Sequence, residues 1–339
     1  MKAWWLVNGN DGATLELRDV PTPAVGPEQV LVRMRAASLN RGEFILGHGL
    51  SKPGTSKPAG MEAAGEVVAC GAALEGAAAA STTALGARVM ARCAGGFAQY
   101  VLMDARELMP VPTGFSWEQA ACVPLAGLVT YDMLVQQGGL HVGAAGDAGT
   151  PSWVLITGVT SGVGVNALQM AKALGARVIG TSGSADKLAR LSALGLDLAI
   201  PTRQGDFYDA VMQVTAGAGV NLVVNAAGGV QFAEAIRCMG FEGRLAMVGY
   251  VDGQLHAELD LQALHAKRLT LFGVSNKMRT PAQKAAAVPG FARDILPLMA
   301  QGQMQALIDR VLPFEQLPQA RAAMEAAAHA GKIVLQGLL

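Results

Sequence analysis

The chain has 339 residues, enough for two domains that each bury a substantial core. Its formal net charge is zero and no segment is dominated by Lys or Arg, which argues against nucleic acid or an anionic membrane as a partner. No apolar run reaches the roughly 18 residues of a membrane helix, and the short apolar N-terminal patch lacks signal-peptide features. We therefore expect a cytoplasmic protein without membrane contact.

The chain up to about residue 125 is rich in β-forming residues and punctuated by Pro and Gly, which predicts a β-rich domain. Strands are predicted at residues 15–20, 29–37, 66–70, 87–92 and 99–103. Two alanine-rich stretches, residues 71–86 and 141–151, are predicted to be loop insertions. The four cysteines form no Cys-x-x-Cys pair and are predicted to be buried free thiols.

The middle of the chain alternates strands and helices, which predicts an α/β fold with a doubly wound sheet covered by helices on both faces. Six parallel strands are predicted, at residues 154–157, 177–181, 198–200, 220–225, 244–248 and 269–274. The remainder is predicted to form a broken helical segment at 281–301, a strand at 310–314, a helix at 318–330 and a strand at 333–336.

The turn after the first of these strands is the most informative segment, because an apolar run stops abruptly at Gly158 and a helical pattern follows. Glycines in such a turn let backbone N–H groups approach a pyrophosphate, and the helix N-terminus adds partial positive charge. This context predicts a dinucleotide site. The residues expected to contact the cofactor are Thr160, Ser161, Gly162, Val163 and Gly164.

The second strand of this unit indicates which nucleotide binds. An NAD site has an acidic residue about 20 residues beyond the first glycine, whereas this chain has no carboxylate at that strand end. The groups predicted to meet a 2′-phosphate are the hydroxyls of Ser182 and Ser184, the amide of Gly183, and the cations of Lys187 and Arg203. We therefore predict NADPH. The alternative is that Ser184 only caps the next helix and Lys187 is solvated.

Four motifs in chain order resemble the medium-chain dehydrogenase/reductase superfamily. They are Gly60-Met61-Glu62-Ala63-Ala64-Gly65-Glu66-Val67, then Gly86-Ala87-Arg88-Val89 with Gly96-Phe97-Ala98-Gln99-Tyr100, then Pro124-Leu125-Ala126-Gly127-Leu128-Val129-Thr130-Tyr131, and the nucleotide turn. The resemblance covers essentially the whole chain. It implies a discontinuous GroES-like catalytic domain at residues 1–127 and 303–339, and a Rossmann NADPH-binding domain at residues 128–302.

Position 61 separates the subclasses of that superfamily. Its zinc alcohol dehydrogenases carry a metal-binding His there, and a Cys where this chain reads Ser38-Leu39-Asn40. Met61 and these residues cannot supply the thiolate–imidazole set of such a site, so no metal is predicted. The chain then resembles the quinone oxidoreductase (zeta-crystallin-like) branch. Its turn departs from that branch's Ala-x-x-Gly-x-x-Gly, because it reads Gly158-x-x-Ser161-x-x-Gly164.

Without a metal, the acceptor oxygen needs hydrogen-bond donors and a proton source. Asn40 and Glu43 resemble the branch's Asn-x-x-Asp active-site segment, although an Asn capping a short helix is the alternative. Thr130 is expected beneath the nicotinamide, where it would bond the cofactor or the substrate. The alternative for Thr130 is an ordinary structural residue near the start of a helix.

The proton source is less well indicated. Some members of the branch use a Tyr two positions after the Asp-like residue, and this chain has Ile45 there. Water or Tyr250, which follows the carboxyl end of a strand, is therefore predicted, with an ordinary loop aromatic as the alternative for Tyr250. For His48 two alternatives stay open, a place in the cleft and exposure to solvent. Residues after the later strands are expected to line the nicotinamide half of the site, mainly through main-chain groups: Asn225, Ala226, Gly249, Tyr250, Val274 and Asn276.

Together these patterns predict an NADPH-dependent reductase that transfers hydride, without a metal, to a quinone, another conjugated carbonyl or an activated alkene. Two alternatives stay open: an NADPH-binding protein with a structural or regulatory role and little turnover, and a zinc alcohol dehydrogenase. The resemblance also implies a homodimer that pairs through the predicted strand at residues 269–274.

Overall fold

The computed structural model describes residues 1–9, 12–44, 54–74, 81–141, 151–326, 329 and 331–338. Ile45, His48 and, within the two alanine-rich stretches, residues 75–80 and 142–150 lie outside the described residues. No helix within the described ranges is long and apolar enough to cross a membrane.

The described residues form sixteen strands. In chain order these are β1 (Lys2–Asn8), β2 (Ala13–Asp19), β3 (Gln29–Ser38), β4 (Ser56–Pro58), β5 (Glu62–Cys70), β6 (Arg88–Arg92), β7 (Tyr100–Asp104), β8 (Met109–Pro110), β9 (Trp153–Thr157), β10 (Arg177–Ser182), β11 (Leu198–Pro201), β12 (Val220–Asn225), β13 (Met239–Met247), β14 (Thr270–Gly273), β15 (Ile308–Pro313) and β16 (Lys332–Gln336).

Twelve α-helices occur in the same part of the chain. They are α1 (Arg41–Phe44), α2 (Trp117–Ala121), α3 (Pro124–Tyr131), α4 (Gly162–Ala173), α5 (Ala185–Ala189), α6 (Tyr208–Val214), α7 (Phe232–Cys238), α8 (Leu261–Ala266), α9 (Pro281–Ala285), α10 (Val288–Asp294), α11 (Leu296–Ala300) and α12 (Leu317–Glu325). A π-helical turn, Asp132–Gln136, directly follows α3.

One compact unit, Val129–Asn276 with Gln301–Met304, is built on a six-stranded sheet. The strand order is β11-β10-β9-β12-β13-β14 and every neighbouring pair is parallel, which confirms the predicted doubly wound sheet. The order reverses between β9 and β12, the place where such sheets bind ligands. Val154, Leu155 and Ile156 of β9 are fully buried, as expected for a central strand covered on both faces.

The other unit comprises Met1–Leu128, Lys277–Ala300 and Gln305–Leu339. It contains a three-stranded sheet, β2-β1-β4, and a seven-stranded sheet, β15-β16-β3-β5-β6-β8, in which β7 also pairs with β3. It includes residues 277–300, which the sequence-based division assigned to the nucleotide-binding domain. The functional division of the two domains stays a prediction.

Several elements differ from their predicted bounds. β5 starts at Glu62, whereas the sequence predicted a start at residue 66. The prediction missed the first residues because they lack the alternating pattern that marks a strand. β13 starts at Met239 rather than at residue 244, and the extra residues include an irregular turn in which Glu242 has a φ of 56°. β1 was not predicted at all. All four cysteines are free, but Cys70 and Cys93 are only partly buried.

Candidate active site

The turn after β9 is tightly packed at the start of α4. Ser161 caps α4, and its Oγ accepts a hydrogen bond from the Gly164 N–H at 3.1 Å. A Cβ placed on Gly164 would lie only 2.6 Å from the carbonyl oxygen of Gly158, so the turn tolerates no side chain there. The predicted residues of the turn therefore come together at an amide-rich helix start, capped by Ser161, that fits an anion.

A second group of predicted cofactor-binding residues forms a corner at the end of β10, made of Ser182, Gly183, Ser184 and Arg203. The Thr160 hydroxyl is 2.9 Å from the Ser182 hydroxyl, which joins these residues to the turn after β9. Ser184 caps α5 by accepting the Lys187 N–H at 3.3 Å, so the predicted cap is present. The Arg203 side chain lies directly over Gly183, where a Cβ would be 2.2 Å from its Nε. The corner therefore combines hydroxyls, an exposed main chain and a cation.

The carboxyl ends of the parallel strands lie at one level. Thr157 of β9 pairs with Asn225 of β12, Asn225 pairs with Met247 of β13, and Met247 pairs with Gly273 of β14. The predicted residues after these ends therefore lie along the same edge of the sheet: Ala226, Gly249, Tyr250, Val274 and Asn276. Among them, Tyr250 is 41% exposed and Val274 is buried.

The side chain of Asn225 holds the loop after β12 by hydrogen bonds. Its Oδ1 accepts hydrogen bonds from the Thr157 hydroxyl at 2.9 Å and from the Gly228 N–H at 3.0 Å, while its Nδ2 donates to the Gly228 carbonyl at 3.0 Å. The side chain is fully buried and fastens the loop after β12. Any contact with a nicotinamide at this strand end is therefore left to the main chain around Ala226.

Thr130, near the end of α3, has a fully buried side chain whose Oγ1 has no hydrogen-bond partner among the described residues. A buried hydroxyl is almost always paired in a folded protein. The orphaned Oγ1 is therefore compatible with a ligand group, and the contact predicted for Thr130 stays a prediction.

In the other unit, Asn40 belongs to a buried cluster that we call the Glu62 cluster: Ser38, Asn40, Glu62, Lys332 and the main-chain N–H of Leu125. Oε1 of Glu62 accepts hydrogen bonds from the Ser38 hydroxyl, from Asn40 Nδ2 at 2.8 Å and from Lys332 Nζ at 2.8 Å. Oε2 accepts the Leu125 N–H at 2.7 Å. Four donors thus satisfy the hydrogen-bonding capacity of a side chain that is fully buried.

The sheet explains why these residues meet. β3 lies between β16 and β5 and runs antiparallel to both, so its end at Ser38 lies beside the starts of the other two strands. Lys332 is the first residue of β16 and Glu62 is the first residue of β5. Sequence reasoning missed both as functional candidates. The available signal was a charged residue at the start of each strand, directly before apolar core positions.

Comparison with known proteins identifies the fold. Residues 162–289 match the family model described as zinc-binding dehydrogenase, and residues 26–113 match the alcohol dehydrogenase GroES-like domain. The chain belongs to the medium-chain dehydrogenase/reductase family. This confirms the predicted GroES-like and Rossmann-like combination within a family of oxidoreductases.

Three similar proteins illustrate the range of this family. Prostaglandin reductase-3 of Bos taurus is 33% identical over 248 residues, which are 73% of this chain but only 61% of that protein. A solved structure described as an NAD-dependent alcohol dehydrogenase is 29% identical, covers 99% of both chains and has a TM-score of 0.81. A quinone oxidoreductase of Pseudomonas syringae, 24% identical with a TM-score of 0.82 over 99% of this chain and 100% of that one, shares the fold.

The zinc-binding positions of the family are occupied differently here. Position 61 is Met, and Ser38 and Asn40, in the segment where those enzymes carry the Cys, both donate to Glu62. In the part of the chain that the structure describes, no three His, Cys, Asp or Glu side chains are grouped so as to hold a metal ion. Zinc independence itself stays a prediction.

Glu43, the other candidate from the family motif, is buried to 1% exposure in α1. Its Oε1 accepts the Gly60 N–H at 2.6 Å, while Oε2 has no partner among the described residues. Burial raises the pKa of this carboxyl to about 7, with nearby Glu62 adding to the rise and the Gly60 bond and Lys57 opposing it. Glu43 is therefore half protonated near neutral pH, which suits a group that holds or moves a proton.

The raised pKa of Glu43 predicts a pH-dependent stability. The folded state binds this proton more tightly than the unfolded chain. The contribution of Glu43 to the free energy of unfolding is therefore full below the unfolded pKa of 4.5 and is lost as pH rises through about 7, by about 3 kcal/mol in total. We expect Glu43→Gln to remove this fall, since its amide oxygen still accepts the Gly60 N–H. Urea unfolding at pH values of about 5 and about 8 measures the difference. Glu28→Gln, at an exposed glutamate, is the control, and an unchanged fall in Glu43→Gln would contradict the assignment.

Proposed function

We propose that this protein is an NADPH-dependent reductase that transfers a hydride to a conjugated carbonyl, such as a quinone or an enone, without a metal. The observation that carries the proposal is the hydrogen bonding of the Asn40 side chain. Its carboxamide is held by Lys332 and Glu62, it is only partly buried, and one of its two Nδ2 hydrogens has no acceptor among the described residues. A fixed donor of this kind suits an oxygen on which negative charge develops.

The proposal of a conjugated carbonyl as the hydride acceptor follows from the side chains at the family's zinc positions. A simple ketone needs strong polarisation, which a metal ordinarily supplies, whereas a conjugated acceptor spreads the charge and needs less. Met61, Ser38 and Asn40 offer hydrogen bonds and a thioether in place of the thiolate and imidazole of the family's zinc enzymes. The likeness to a protein named prostaglandin reductase-3 also supports a reductase.

NADPH fits the residues of the six-stranded unit, and it supplies the hydride when bound. The turn at Gly164 would hold the pyrophosphate, and the corner of Ser182, Gly183 and Arg203 would hold the 2′-phosphate. The buried Thr130 hydroxyl would bond the cofactor or the substrate. Tyr250, which is partly exposed at the same sheet edge, would supply the proton, with water as the alternative.

The direct test is NADPH oxidation with a naphthoquinone and with an enone, in buffer that contains a metal chelator. We expect turnover with at least one of them, unchanged by the chelator. Activity that appears only after zinc is added would instead identify a zinc alcohol dehydrogenase. Tight NADPH binding without turnover of any acceptor would identify a binding protein.

We also propose that two copies of the chain pair through β14. This strand is at the edge of the six-stranded sheet and, among the described strands, pairs only with β13. Its Leu271 and Phe272 are only partly buried, and an open edge of this kind can pair with a second copy. Light scattering should then give twice the chain mass of 34.9 kDa. A mass that stays at the monomer value over a broad concentration range would contradict the pairing. A cytoplasmic location also stays a prediction.

A further inference from the structure

Three hydrogen bonds form a closed ring within the Glu62 cluster. Lys332 Nζ is 2.7 Å from Asn40 Oδ1 and 2.8 Å from Glu62 Oε1, and Asn40 Nδ2 is 2.8 Å from that same Glu62 oxygen. Lys332 is 292 residues from Asn40 in the chain and is 8% exposed. The ring thus ties the candidate donor to a nearly buried cation from the last strand.

The charges in this ring fix the orientation of the Asn40 carboxamide. An ammonium can only donate hydrogen bonds, and a carboxylate can only accept them. If the amide flipped, its NH₂ would face the Lys332 ammonium and its carbonyl would face the Glu62 carboxylate. Two charge-assisted hydrogen bonds would become two repulsive contacts in a buried place, so only one orientation is stable.

The same ring decides which Asn40 hydrogen remains available. Lys332 Nζ donates both to Asn40 Oδ1 and to the Glu62 oxygen that accepts from Asn40 Nδ2. That Glu62 oxygen therefore lies on the Oδ1 side of the amide. The Nδ2 hydrogen that it accepts is the one on the same side as Oδ1. The other hydrogen lies on the opposite side of the planar amide and points away from Glu62 and Lys332. Asn40 itself is partly exposed, whereas Glu62 is fully buried.

We propose that Lys332 is a positioning residue for the reaction: it locks the Asn40 carboxamide so that the outward Nδ2 hydrogen meets the substrate's carbonyl oxygen. This inference rests on the proposed reductase function. Lys332 does not touch the substrate and acts only through Asn40. Its role therefore depends on the presence of the Asn40 amide, which distinguishes it from a lysine that merely stabilises the fold.

A double-mutant cycle tests the dependence on Asn40. We expect Lys332→Met to lower kcat for a conjugated acceptor by about 10- to 100-fold, with the NADPH dissociation constant unchanged. Lys332→Arg should recover most of the loss, because it keeps the charge and the donors. In an Asn40→Ala background, Lys332→Met should change kcat by less than about 2-fold. An equal fall in both backgrounds, or an unchanged kcat in folded Lys332→Met, would overturn the proposal.

A measurement without turnover separates this proposal from the proposed function. The side-chain amide signals of Asn40 can be assigned in a ¹H–¹⁵N NMR spectrum by their loss in Asn40→Ala. We expect Lys332→Met to shift both signals strongly, and unshifted signals would overturn the positioning role. If the wild type reduces no conjugated acceptor, the proposed function fails, while the spectrum still decides whether Lys332 orients the amide. Should Lys332→Met not fold, Lys332→Met with Glu62→Gln removes both charges and serves in its place, compared with Glu62→Gln alone because Glu62 also bonds Asn40.

Discussion

We expect Asn40→Ala to lower kcat for a quinone or enone by about 100- to 1,000-fold, the usual cost of removing one donor from a developing oxyanion. The dissociation constant for NADPH should stay the same, because Asn40 lies in the unit that does not carry the nucleotide turn. Stopped-flow single turnovers, which isolate hydride transfer, are the measurement. A fall in kcat without a change in cofactor binding identifies an interaction made mainly in the transition state.

The fold should survive this substitution. After Asn40→Ala, Glu62 retains three donors, from Ser38, Lys332 and the Leu125 N–H. Asn221→Ala is a matched control, because Asn221 is an exposed asparagine whose Oδ1 accepts a single main-chain N–H, that of Trp153. A loss of activity that tracks a loss of folded protein, or a kcat within about 3-fold of wild type, would contradict the role of Asn40.

The nucleotide-binding half of the molecule could be predicted from the sequence because its signals are local. The buried run Val154–Thr157, the glycines that follow and the helical pattern after them lie within one short stretch. Each parallel strand is short and apolar, and helices separate most of them, so periodicity alone separates the elements. The six-stranded sheet then follows from the known geometry of such units.

The Glu62 cluster could not be predicted in the same way, because its members are far apart in sequence. Lys332 bonds Glu62 across 270 residues and Asn40 across 292 residues. Local patterns indicate which residues share a face, but they do not indicate which strand lies next to which in an antiparallel sheet. Asn40 was found only through a family motif, and its two charged partners appeared only with the strand order β16-β3-β5.

Asn225 illustrates a different limit of local sequence patterns. Its position at the end of a parallel strand predicts contact with a ligand, and the strand register does bring that end to the expected edge. The local loop, however, turns back on the strand, so the amide satisfies Gly228 and the Thr157 hydroxyl instead. A strand end therefore predicts the location of a residue, but the loop conformation decides what its side chain bonds.

The second large effect concerns the choice of cofactor. We expect Arg203→Ala to lower kcat/KM for NADPH by about 10- to 100-fold, because a charge-assisted hydrogen bond to a phosphate contributes about 1.5–3 kcal/mol. The value for NADH should be unchanged, since NADH has no 2′-phosphate. The Arg203 side chain lies over Gly183, beside Ser182 at the end of β10, and no ion pair among the described residues includes it. Its charge is thus available to a ligand.

Comparing the loss of kcat/KM with NADPH and with NADH tests this prediction. Arg203→Lys keeps the charge but loses the planar, two-pronged donor, so we expect an intermediate loss for NADPH. Arg190→Ala is the matched control, because Arg190 is an exposed arginine at the opposite end of α5. Equal losses with NADPH and NADH would mean that Arg203 supports the fold of this corner. A protein that prefers NADH before any substitution would mean that the hydroxyls of Ser182 and Ser184 serve the helix cap and the turn alone.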